Sequence, residues 1–160
     1  MLLVVVSFLG GCAGNQPVVW NDATPIEEVK FSAVEVEALV EIPQYELDFM
    51  KDDITKKLSS SDFWSDIPSD YTLKVVISEY EEGNAFARFM LIGLGQMHLN
   101  GTVDLLAAGN PPEVIKSGSF EKNYALGGFM GASANMHDDM TSKLGKAIYE
   151  ALNNPSNTDS

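Results

Sequence analysis

Between Val34 and Leu58 the apolar residues change their period from two to roughly 3.6, and that switch limits the folds open to this chain. Val34, Val36, Ala38, Val40 and Ile42 fall on one side of an extended segment, with Glu35, Glu37 and Glu41 on the other beside Leu39. Neighbouring strand side chains point to opposite faces, so this segment reads as a strand with one wet face, ended by Pro43. From Tyr45 the spacing becomes three and four through Leu47, Met50, Ile54 and Leu58, with Asp52, Asp53, Lys56 and Lys57 elsewhere around the turn. That pattern predicts an amphipathic helix. A strand with one apolar face and a helix with one apolar stripe bury both by stacking in layers.

The rest of the chain repeats the two patterns. Ser59-Ser60-Ser61-Asp62 breaks the helix, and Leu73, Val75 and Ile77 then alternate with Thr72, Lys74 and Ser78 as a second strand. Met97, Leu99, Val103 and Leu105 alternate with His98, Asn100, Thr102 and Asp104, and Gly109-Asn110-Pro111-Pro112 turns the chain back into Val114 to Lys122. Those two strands are expected to form a hairpin. A last helix carries Met136, Met140, Leu144, Ala147, Ile148 and Leu152 on its apolar side. Asn135 can cap it, Asp138 and Asp139 suit the positive end of its dipole, and Asn153-Asn154-Pro155 stops it. The expected fold is α+β: a two-layer sandwich, with a mainly antiparallel sheet of about four strands and two amphipathic helices packed on one face. One domain over 29–153 is expected, followed by a flexible tail over 154–160.

Composition narrows the partners. Hydrophobic residues make up 45% of the 160, enough for a core. The formal net charge is -13, with 23 acidic residues against nine lysines and one arginine, Arg88. Binding to a phosphate backbone relies on clustered Lys and Arg that displace counterions, so nucleic acid is excluded as an expected partner. The same repulsion disfavours loose adsorption to anionic lipid.

The single cysteine, Cys12, rules out an intramolecular disulfide. It follows the apolar run Leu2-Leu3-Val4-Val5-Val6-Ser7-Phe8-Leu9 and then Gly10-Gly11, which resembles the lipobox of bacterial lipoproteins: Leu, two small residues, then Cys. In such proteins the apolar segment enters the export machinery, small residues admit a peptidase, and the thiol accepts a diacylglyceryl group. The resemblance implies a signal peptide over 1–11, cleavage between Gly11 and Cys12, lipidation of Cys12 and a tether over 12–28. Val18 to Trp20 are expected to dock as a short edge strand or to meet a partner. The eleven residues before Cys12 contain no Lys or Arg, whereas export signals usually carry a basic start, so the true start is expected upstream. Ala13, rather than an Asp, follows Cys12, which by resemblance to lipoprotein sorting favours the outer membrane and its periplasmic face.

A second resemblance rests on Glu82-Gly83-Asn84-Ala85-Phe86-Ala87-Arg88-Phe89-Met90-Leu91-Ile92-Gly93-Leu94-Gly95, then a hairpin, the Gly-rich run Gly127-Gly128-Phe129-Met130-Gly131 and a C-terminal helix. From about Phe31 to Leu152 the chain resembles the lipoproteins of domain of unknown function 4410 (DUF4410). The likeness implies a location and a fold but no chemistry.

No motif argues for catalysis. Gly93-x-Gly95 has His98 where a dinucleotide fingerprint has its third glycine, and no P-loop lysine follows. His98 and His137 are the only histidines; Asp138 and Asp139 beside His137 point in different directions on a helix, and Asp104 alone stands at a suitable interval from His98, so no metal and no cofactor are expected. The acidic runs Glu35, Glu37, Glu41 and Glu79, Glu81, Glu82 read as a solvated face. The expected function is a non-catalytic, membrane-anchored periplasmic lipoprotein that scaffolds or assists an envelope assembly. It would be held by its lipid and partnered by another envelope protein. The alternative is a binding module for a lipid, glycan or peptide, and after it a small hydrolase.

Gly83, Gly93 and Gly95 are expected to shape the backbone around Arg88, whose planar guanidinium binds a carboxylate through two hydrogen bonds that lysine cannot imitate. Arg88 is expected to form a structural ion pair with Glu79, Glu81, Glu82 or another acid of the domain, ahead of a ligand-facing role. If structural, Arg88→Lys lowers stability by about one to a few kcal/mol in thermal melting. An unchanged melt with loss of a cellular partner would assign Arg88 to ligand contact.

Overall fold

The computed structural model describes residues 18–26, 29–81, 97–124 and 136–154. In chain order these form β1 (Val19–Trp20), β2 (Ala33–Ala38), α1 (Gln44–Leu58), β3 (Tyr71–Glu81), β4 (Met97–Ala107), β5 (Glu113–Tyr124) and α2 (Met136–Asn153). The described strands make one five-stranded sheet in the order β1-β5-β4-β3-β2. The class is α+β as expected, with two helices on one face. The sheet gains β1 as a fifth strand, and its β2–β3 pair is parallel, so it is mixed.

The parallel pair follows from connectivity. A parallel neighbour needs a crossover long enough to return the chain to its starting end, and α1 with the loop after it provides that path. On the inward face, Leu73, Val75 and Ile77 of β3, Leu99, Val103 and Leu105 of β4 and Phe120 of β5 join one buried cluster. Ile54 and Leu58 of α1 and Leu144, Ala147 and Ile148 of α2 pack into the same cluster. Leu47 of the expected helix stripe is only half buried, and the side chains of Met136 and Met140 lie outside the described residues.

β2 stops at Ala38, short of the alternation that continues to Ile42. The cause is in β3, whose pairing with β4 shifts register between Ile77 and Glu79. Leu39 still donates its amide to the Ile77 carbonyl at 2.8 Å, and the β2–β3 pairing goes no further than Ala38 opposite Ile77. α1 then starts after Pro43, whose ring presets the entry to a first turn and which adds no side-chain cap.

The short edge strand expected at Val18 to Trp20 is present, and it is buried more deeply than a tether would be. Val18 and Trp20 are fully buried in the core cluster, and β1 pairs with β5 through Val19 opposite Ser119 and Trp20 opposite Gly118. The Trp20 indole donates from Nε1 to the Ala151 carbonyl of α2 at 2.9 Å. Gly118 is the seat of that ring: a Cβ there would lie 2.8 Å from Trp20 Cε3. β1 therefore packs on the same core as β5 and α2. A two-residue strand has no readable period, so the apolar Val18-Val19-Trp20 run suggests an edge strand but not which strand it pairs with.

Trp20→Ala is expected to destabilise the domain by about 3–5 kcal/mol in urea unfolding, the cost of removing a fully buried large aromatic. A chain starting near Glu28 is expected to lose cooperative melting for the same reason. Normal melting of either would show that β1 is an ornament on an independent core.

Candidate functional site

Because α1 and α2 cover one face of the sheet, the other face presents the alternate residues. Register places Glu35, Lys74, Asp104 and Ser117 in one row across β2, β3, β4 and β5. The next row is Glu37, Val76, Thr102 and Ser119. Lys74 Nζ lies 2.8 Å from Glu37 Oε2. The hydrogen bond to Glu37 holds the Lys74 amine above its ordinary range, and the charges of Glu35 and Asp104 add to it. Ser117 Oγ donates to Asp104 Oδ1 at 2.5 Å.

The register shift in β3 decides where the second acidic run goes. Up to Ile77 the odd-numbered residues face the core; after the shift Tyr80 pairs with buried Leu99, and Glu79 and Glu81 pair with Asn100 and His98. Glu79 and Glu81 thereby join Glu35 and Glu37 on the uncovered face, where uninterrupted alternation would have put both in the core. Asn100 Nδ2 donates to Glu79 Oε2 at 2.5 Å. Glu35 and Glu37 of the first acidic run and Glu79 and Glu81 of the second are thus brought together on one surface, while Glu82 lies outside the described residues. That surface can meet cations.

On the inward face, two lysines of β5 are buried, which the sequence reading did not single out. Lys116 Nζ donates to the backbone carbonyls of Asp22 at 2.9 Å and Thr24 at 2.5 Å and reaches Asp22 Oδ1 at 3.2 Å. It also stands 5.5 Å from the centre of the Trp20 ring. Its donors are used in fixing the segment after β1. Hydrogen bonds from Thr24, with a smaller contribution from Lys116, hold the Asp22 carboxyl below its usual range. Beside this clamp lies an open cleft of about 390 Å³, lined by Asp22, Thr24, Ile26, Val29, Ile115 and Lys116 among others. The signal for an inward Lys116 was its parity: it shares a face with Gly118 and Phe120.

On α1, Glu46 is buried and accepts hydrogen bonds from the hydroxyls of Tyr45 at 3.0 Å and Tyr80 at 2.6 Å. This ties the first turn of α1 to the end of β3.

Cys12 and Gly11, and Arg88 with Gly83, Gly93 and Gly95, lie outside the described residues, as do the Gly127 to Gly131 run, the side chain of His137 and the tail from Pro155. His98 lies on the uncovered face, opposite Glu81 and Asn123. Among the described residues no group of three or more His, Cys, Asp or Glu is placed to hold a metal ion. No described helix is long and apolar enough to cross a membrane.

No protein-family model matches this sequence, and no curated protein matches it. Solved structures do. A Xanthomonas campestris protein of family DUF330 superposes with a TM-score of 0.52 at 15% identity, over 88% of this chain and 94% of that one. The two share a fold. A PelC dodecamer subunit from Paraburkholderia phytofirmans superposes at 0.46 with 11% identity, over 89% and 96% of the two chains. A candidate lipoprotein from Caulobacter crescentus CB15 does so at 0.43 with 18% identity, over 74% and 86%.

The second buried lysine, Lys122, is 3% exposed. Burial pushes its amine below the ordinary 10.5, and Lys143 adds to that while Glu150 opposes it. The charged form is thus disfavoured by folding, so stability rises with pH from the folded-state value up to the unfolded one. Lys122→Met is expected to raise the melting temperature at pH 7, with the gain shrinking as pH approaches 10.5. A lower melting temperature at pH 7 would mean that the ammonium is held by favourable contacts.

Proposed function

We propose that this chain is a lipid-anchored envelope protein whose domain is non-catalytic and scaffolds or assists another envelope component. The observation that carries the reading is the Leu9-Gly10-Gly11-Cys12 sequence standing six residues before Val18, which is buried in the core. Cys12 and Val18 are six residues apart, a reach of about 20 Å at full extension. An acylated Cys12 would hold the domain close to its membrane, since several acyl chains at about 0.8 kcal/mol per methylene make attachment nearly permanent. The likeness of the Gly83 to Gly95 segment to DUF4410 lipoproteins and the Ala13 that follows Cys12 support an envelope role and the outer membrane.

The described polar groups support a non-catalytic domain. Lys116 is engaged with backbone carbonyls, Glu46 with two tyrosine hydroxyls, and Lys74 with Glu37. Each stabilises structure rather than facing a reacting atom. The cleft beside Lys116 favours, as a second reading, a binding module for a small ligand.

Expressed from its true start, the mature protein is expected to begin at Cys12 carrying acyl chains, read from the mass of its N-terminal peptide. Cys12→Ser is expected to move the protein from the membrane to the soluble fraction. An intact Met1, or a free Cys12 thiol in membrane-derived protein, would overturn the proposal.

A further inference from the structure

Four of the large apolar side chains that the domain leaves exposed lie in one stretch, the connection from β2 and the first turns of α1: Leu39 (75% exposed), Val40, Tyr45 (71%) and Phe49. Tyr45 and Phe49 stand one helical turn apart on the same side of α1. The Tyr80–Glu46 hydrogen bond holds this turn level with the end of β3. The patch therefore sits where β2 finishes, on the side of the sheet toward which β3 and β5 run.

β1 begins at a similar height. It runs antiparallel to β5, so Val18 lies on the side toward which β5 runs, with β5 continuing past it from Ser119 to Tyr124. Register confirms the height: Ala38, Ile77, Gly101 and Phe120 form one row, and Val18 adjoins it through Val19 opposite Ser119. Four strand spacings separate the two edges, about 19 Å. The stretch from Cys12 to Val18 reaches about as far.

We infer that Leu39, Val40, Tyr45 and Phe49 rest on the surface of the lipid bilayer into which Cys12 is anchored, so that the domain stands with its β1-entry end toward the membrane. This rests on the lipid-anchor reading. The chain span leading to Val18 brings this end, and not the end with Ile67, within reach of the membrane. Tyrosine beside aliphatic side chains suits the headgroup zone, where a ring can be half apolar and half wet. The net charge of -13 opposes electrostatic adsorption, so the contact would act through apolar side chains once the lipid has brought the domain there. Four exposed apolar side chains fall well short of the roughly 20–30 residues a side that a stable protein–protein interface uses, which favours a bilayer over a second copy.

The test uses the lipidated protein purified from membranes and returned to vesicles of phosphatidylethanolamine and phosphatidylglycerol containing brominated acyl chains. Tyr45→Trp is compared with Ile67→Trp, which reports on an exposed site at the opposite end of the domain. Tryptophan at 45 is expected to lose most of its added emission to the brominated lipid, while tryptophan at 67 keeps it. Leu39→Trp replaces Tyr45→Trp if the latter melts abnormally. Equal emission from both ends in protein that floats with the vesicles would overturn the inference and leave the anchor standing. Failure to float, with an unmodified Cys12, would overturn both. A blue shift at position 45 on concentrating the protein in detergent without vesicles would assign the patch to a second copy and overturn the inference as well.

Discussion

The packing of Trp20 between β5 and α2 is the contact on which the rest of the structure depends. One side chain joins three parts of the chain distant in sequence: its own two-residue strand, the central hairpin through Gly118, and the last helix through the Ala151 carbonyl. A large aromatic ring buries area out of proportion to the two residues that carry it, and its indole proton needs a partner once water is excluded. Lys116 completes the arrangement. Its stem lies in the interior beside Trp20, and its ammonium takes the Asp22 and Thr24 carbonyls that a short edge strand leaves unpaired. The region expected to be a loose tether is thereby fixed to the core at two adjacent points.

Among the described residues both helices lie on one side of the sheet, and the opposite face is the polar one. An antiparallel-rich sheet tolerates a wet face, and the cross-strand pairs Lys74–Glu37, Ser117–Asp104 and Asn100–Glu79 stabilise it locally. The register shift after Ile77 has two consequences. It ends β2 as an edge strand, and it moves Glu79 and Glu81 out of the core while bringing Tyr80 in to meet Glu46. One extra residue in β3 therefore sets both the acidity of the open face and the height at which α1 begins.

Much of this was legible in the sequence wherever a period runs long enough to be read. The β4–β5 hairpin and both helices follow the alternation and the three-four spacing, and Leu73, Val75, Ile77, Ile54, Leu58, Leu144 and Ile148 point inward as the pattern demands. Patterns are silent on three features. β1 is too short for any period. The shift in β3 lies between Ile77 and Glu79, where Ser78 gives no turn signal. The inward Lys116 and Lys122 carry the wrong polarity for their parity, and only the neighbouring Gly118 and Phe120 betray their face. The residues singled out for function, Cys12 and Arg88, lie outside the described part of the chain, so the sequence remains the basis for their roles.

The central claim is that β1, with Val18 and Trp20, is an integral part of the core. Native-state hydrogen exchange tests this most directly. The Asn21 amide donates to the Ser117 carbonyl at 2.9 Å and the Trp20 indole to Ala151; if β1 is core, both protons exchange only through global unfolding, with the same free energy as the slowest amides of β4 and β5. Exchange of these two protons at the rates of fraying ends, while β4 and β5 stay protected, would contradict the account.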